Sequence, residues 1–132
     1  MNFARQVFRY AGIYGLIVMT PQYFLEHQVG VQEPPAITHP EFFYGFLGVG
    51  IAWQVAFIII AQSPDRYRPL MIAAMIEKFS FGIAVPILFA LGRVSGTVFG
   101  FAIIDLIFAA LFVEAYRRTT PKTPPASSAT DS

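Results

Sequence analysis

The chain has 132 residues, 55% hydrophobic and 16% aromatic, while charged residues reach only 13%, about half the share usual in a soluble domain. Nine basic against eight acidic residues leave a formal net charge of +1, which excludes a basic nucleic-acid binder, and the high apolar content excludes a disordered chain. With no cysteine, disulfides, thiolate zinc sites, iron–sulfur clusters and thiol nucleophiles are excluded as well.

Four apolar stretches follow in chain order. A hydrocarbon core of about 30 Å is crossed by about 20 apolar residues at 1.5 Å rise each. Residues 42–61 meet that length without a charge, 70–91 are broken only by Glu77 and Lys78, and 94–113 only by Asp105. The first stretch, 10–25, is shorter and contains Pro21. It spans if Arg9 snorkels at one end and Tyr23 and Phe24 sit in the opposite interface. A cleaved signal peptide is the competing reading of residues 1–25, but the apolar run ends in Thr20-Pro21-Gln22-Tyr23 rather than in a small-residue cleavage site. Since lipid forbids unpaired backbone groups, these segments are expected to be helical. The expected fold is all-α, an integral membrane four-helix up-down-up-down bundle. Its spans lie at about 7–25, 42–62, 69–91 and 96–116, with an external loop at 26–41 and a disordered tail at 119–132.

Orientation follows from the basic residues. Arg5 and Arg9 precede the first span, Arg66 and Arg68 lie between the second and third, and Arg117, Arg118 and Lys122 follow the fourth; Arg93 stands alone on the other side. Both termini are expected in the cytoplasm, in a multi-pass protein of the cell's inner membrane. The short links at 63–69 and 92–96 predict antiparallel neighbours for the second and third spans and for the third and fourth. The external stretch 22–40 holds Glu33-Pro34-Pro35 and His39-Pro40, and these prolines predict an extended cap without helix. Small residues at four-residue spacing (Ala11 and Gly15, Gly48, Ala52 and Ala56, Gly96 and Gly100) mark faces for helix packing or for a homodimer.

The charges inside the spans carry the functional expectation. An ionisable group near the bilayer centre costs a few kcal/mol or more, so it needs a partner or a purpose. By helical rise, Glu77 and Lys78 lie about 12–13 Å from one membrane edge and Asp105 about 18 Å, with Gln54 and Tyr14 near the same level. Tyr14, Gln54, Glu77, Lys78 and Asp105 therefore form a candidate polar cluster contributed by all four spans. Adjacent helical residues point about 100° apart, which makes Glu77 and Lys78 poor mutual partners. The preferred arrangement has Lys78 meeting Asp105 and Glu77 turned toward Gln54 and Tyr14. The trio sums to minus one, leaving Glu77 as a surplus carboxylate and a candidate proton carrier or hydrogen-bond donor to a bound ligand. The plain alternative is a structural network that sets helix register, with Lys78 snorkelling to the interface. Phe46, Trp53, Phe81 and Pro86 are candidates for a hydrophobic ligand slot.

Other signals point to no chemistry. His27 and His39, with Glu26, Glu33 and Glu41, are irregularly spaced and are read as solvated, so no metal is expected. Glu114 and Arg118 form an ordinary i,i+4 pair. No phosphate loop, nucleophile elbow, metalloprotease helix or Ser-His-Asp set is present, so no catalytic residue is assigned.

The layout of four spans, basic residues ahead of the first, Met19-Thr20-Pro21-Gln22-Tyr23 at its end and acidic residues inside later spans resembles the DoxX-like small bacterial membrane proteins over residues 1–118. The resemblance is architectural and assigns no role to any residue. It implies a group of which some members are linked to membrane oxidoreductase complexes acting with quinones. The expected function is an accessory or ligand-binding subunit of a redox-linked complex, taking a quinone or lipid. A proton-coupled transporter or channel working as a homo-oligomer through Glu77, and a purely structural assembly protein, are the alternatives. The expected partners are the bilayer, a membrane protein or a second copy of the chain, and no nucleic acid.

Overall fold

The structure, a computed structural model, describes residues 2–121. It is all-helical among those residues: α1 (Asn2–Tyr23), α2 (Glu26–Gln32), α3 (Pro40–Gln62), α4 (Leu70–Ala90) and α5 (Gly96–Arg118). Three of these, α3, α4 and α5, are long and apolar enough to cross a membrane.

Local chemistry sets the helix ends. Pro21 lies in the last turn of α1, where it donates no backbone hydrogen bond, and the chain leaves through tight turns from Phe24 and Leu25 back to the Pro21 and Gln22 carbonyls. The Gln22 side chain donates to the Val18 carbonyl at 2.9 Å, supplying a partner near the break. Pro40 occupies the first turn of α3, where a missing N–H costs nothing. Gly92 ends α4 at φ +72°; its N–H bonds the Phe89 carbonyl and that of Arg93 bonds Leu88, the paired pattern that closes a helix C-terminus. The Ser95 hydroxyl then caps α5 by accepting from the Val98 N–H at 3.2 Å. Pro86 lies inside α4 without ending it.

The expected proline-dominated cap is corrected in one respect. Residues 26–32 contain no proline and form α2, and Glu33, turned out of helical backbone (φ −125°, ψ 74°) before Pro34, is where that helix stops. The prolines limit α2 rather than prevent it. Two hydrogen bonds hold this segment down: the Tyr44 hydroxyl donates to Glu26 at 3.0 Å and the Ser95 hydroxyl donates to Glu33 at 2.9 Å.

Packing is uneven. α1 lies along α3, α5 lies along α4, and α1 also touches α5, whereas α3 and α4 meet at only a few points. The short link between α3 and α4 was expected to make them close neighbours, but it constrains only their joined ends. Contact along the rest is decided by side-chain shape. Near the termini all four long helices contribute to one apolar cluster, in which Phe8 stacks on Phe112 with centroids 4.2 Å apart and Phe57 meets Phe112 edge-on at 5.0 Å. The link residue Arg68 donates to the Tyr116 carbonyl at 3.2 Å and lays its guanidinium 3.7 Å from the centre of the Tyr116 ring. Glu114 accepts from both Arg117 and Arg118, at 3.0 and 2.9 Å. Of the expected tail, Thr119 is buried and its hydroxyl donates to Ala115 at 2.7 Å; residues 122–132, including Lys122, lie outside the described residues.

Candidate functional site

A polar layer sits immediately on the cap side of the aromatic cluster. Lys78 is its centre: only 3% of the residue is exposed, although an ammonium is strongly hydrated in water. It lies in the packed stripe Met71, Ala74, Lys78, Gly82 and Val85 of α4, so the helical period turns it inward against α5. Its ammonium donates to Asp105 Oδ1 at 3.2 Å. It lies 5.3 Å from the centre of the Phe57 ring and 5.7 Å from that of Phe108, so a carboxylate and two aromatic faces replace its water. Snorkelling of Lys78 to the interface is therefore not what the chain does.

Glu77 corrects two expectations. Its Oε2 lies 3.9 Å from the Lys78 ammonium; the four-carbon Lys78 stem bends back to an adjacent residue that backbone geometry alone points elsewhere. The carboxylate makes no hydrogen bond to Gln54 or Tyr14, and its buried Oε2 has no hydrogen-bond partner. Gln54 instead donates from Nε2 to the Gly50 carbonyl at 2.9 Å within its own helix and lays its amide against Gly15 of α1. Gln54 is 1% exposed, and its Oε1 is unpartnered. The Tyr14 hydroxyl is likewise buried without a partner, while the ring packs on Phe108 at 5.7 Å between centroids.

The layer therefore combines an engaged pair, Lys78 and Asp105, with three polar atoms left over: Tyr14 Oη, Gln54 Oε1 and Glu77 Oε2. Each buried polar atom without a partner costs about 1–3 kcal/mol. Chemically the layer can accept hydrogen bonds at the Gln54 and Glu77 oxygens and either donate or accept at Tyr14. It offers no nucleophile activated by a base.

The four slot residues are only partly gathered. Phe46 and Phe81 stack across α3 and α4 with centroids 6.3 Å apart, but Trp53 packs on Phe57 and the cluster near the termini. Pro86 is five residues beyond Phe81, about 7.5 Å along the helix. At the cap, His39 lies 3.8 Å from Glu41 with both side chains exposed, and His27 borders a shallow hollow of about 420 Å³ with Glu26, Gly30 and Ile37.

Phe57 and Phe108, the faces that shelter Lys78, were not singled out from sequence. A signal existed: each lies three residues from a polar member of the layer, Gln54 and Asp105, on the same helical face. The bonds from Tyr44 to Glu26 and from Ser95 to Glu33 join residues 18 and 62 positions apart, and no local pattern announces them. No protein-family model, no curated protein and no solved structure matches the chain.

Proposed function

We propose that this chain is a four-span protein of a bacterial inner membrane that binds a membrane-soluble ligand, of the quinone or lipid class, at the polar layer and serves as an accessory subunit of a larger membrane complex. Three helices have the length and apolar character of spans. The fourth span of the reading is α1, whose 22 residues cover about 33 Å and whose Phe8 and Ala11 are wholly buried against the other helices. Arg5, Arg9, Arg66, Arg68, Arg117 and Arg118 all fall at the end carrying the termini, which supports cytoplasmic termini. The redox-linked setting rests on the resemblance to DoxX-like proteins.

The observation that carries ligand binding is the set of three buried, unpaired polar atoms beside the Lys78–Asp105 pair. A network that served only to set register would be expected to satisfy its own members. Polar groups inside a membrane that lack partners mark a place where something else binds.

Native mass spectrometry after extraction from membranes in mild detergent tests this reading. It is expected to show the chain with a retained hydrophobic small molecule, in a complex with another membrane protein. A bare chain that retains nothing, together with pH-driven flux through the purified protein in liposomes, would replace the accessory reading with the transporter one.

A further inference from the structure

The unpaired atoms also state what kind of head group fits. Gln54 Oε1 and, with its carboxyl ionised, Glu77 Oε2 accept hydrogen bonds, and Tyr14 can donate or accept. Gln54 Nε2 donates to the Gly50 carbonyl, and Lys78 donates to Asp105 beneath two aromatic rings while its ammonium stops 3.9 Å from Glu77 Oε2. With both acids ionised, Glu77, Lys78 and Asp105 sum to a formal charge of minus one. What the layer lacks is a second cation, because two carboxylates share one ammonium.

The route to it is lateral. Along most of their length α3 and α4 scarcely touch, and Glu77 shares a helix face with Phe81, four residues on, which stacks on Phe46 of α3. That places Glu77 at the loose α3–α4 seam, and its side chain is 23% exposed there against 4% for Lys78. The two phenyl rings lie about one turn toward the cap.

We infer that Glu77 anchors a site for a lipophilic cation, an amine with an apolar body, which enters from the bilayer between α3 and α4. This rests on the reading above that the polar layer binds a membrane-soluble ligand, and puts a cationic amine in place of the quinone, whose carbonyls bring no donor and no charge. The ammonium donates to Glu77 Oε2 and neutralises the surplus charge, while Phe46 and Phe81 face its apolar body. A phospholipid head group is the wrong ligand, because Glu77 lies about 12 Å inside the membrane edge and the phosphate would have to follow the amine into hydrocarbon.

The test compares 4-phenylbutylamine with its neutral analogue 4-phenylbutanol, binding to the whole protein in lipid nanodiscs. Binding is read directly, by equilibrium dialysis of the labelled ligands against the loaded nanodiscs. Saturable binding of the amine is expected at a concentration at least tenfold below that needed with the alcohol. E77Q is expected to lose that preference while keeping the alcohol's weak binding, and F81A to weaken the amine a few-fold. Equal affinities for amine and alcohol in the natural protein, or no saturable binding of the amine, overturn the inference without any variant being needed, as does an undiminished preference in a folded E77Q. A chain that retains a neutral isoprenoid and shows no amine preference refutes this inference alone. One that prefers the amine but purifies without a partner subunit refutes only the accessory role.

Discussion

The contact of α1 with α3 and the seam between α3 and α4 are built on opposite terms. At the first, glycines let backbones close: a Cβ at Gly12 would stand 2.7 Å from the Gln54 carbonyl oxygen, one at Gly15 would overlap the Gln54 side chain, and one at Gly50 would overlap the Met19 methyl. At the second, the joined helices meet at few points, among them the Phe46–Phe81 stack. The pair separated by the cap segment is tight, and the pair joined by a short link is loose. In lipid no hydrophobic force draws helices together, so packing follows shape, and small residues placed face to face outweigh proximity in sequence. The polar layer spans both regions, with Gln54 sealed in the tight one and Glu77 in the loose one.

Breaking the charge pair should have the largest effect. Lys78→Met leaves Asp105 and Glu77 without their cation, and a loss of about 3–5 kcal/mol is expected; denaturant titration in micelles would measure it, and a Lys78→Met, Asp105→Leu double variant should recover much of it. The tight contact is probed next. Gly15→Leu drives a side chain into Gln54, and a cost of about 1–3 kcal/mol is expected from overpacking, visible as a lowered melting temperature. Ser95→Ala removes both the α5 cap and the bond to Glu33; about 1 kcal/mol is expected, with faster amide exchange across α2. Smallest is Gly48→Leu. A Cβ there meets nothing within 4 Å, so stability should stay within about 0.5 kcal/mol. A large loss at Gly48 would mean that this face is covered by another chain, and the contrast between tight and loose contacts would have to be redrawn.

Several features were legible in advance because they depend on composition and period. The apolar runs produce three helices able to span a membrane, and Lys78 of α4 and Asp105 of α5 lie within hydrogen-bond reach of each other. Which glycines matter was legible only in part: Gly15, from the spaced pair on α1, does pack against Gln54. Gly48, Gly96 and Gly100 carry the expected four-residue spacing yet face open space, while Gly12 and Gly50 make close contacts without belonging to it. Spacing identifies a smooth face, but only the opposing helix decides whether that face is used. Trp53 is a similar case, since an aromatic residue near a proposed slot turned toward Phe57 instead.

Sequence alone determined that the chain is helical and apolar, roughly where its four long helices break, and that an acid and a base beside each other on α4 and an acid on α5 needed accommodation, because these follow from backbone hydrogen bonding and the cost of charge in hydrocarbon. Tertiary structure decided the partners. Lys78 chose Asp105 between two phenylalanine rings, Gln54 folded back on its own helix against Gly15, and Glu77 was left at a seam. Those outcomes depend on distances between helices of a few ångströms, which are set by side-chain shapes meeting across the fold and not by any pattern within one segment.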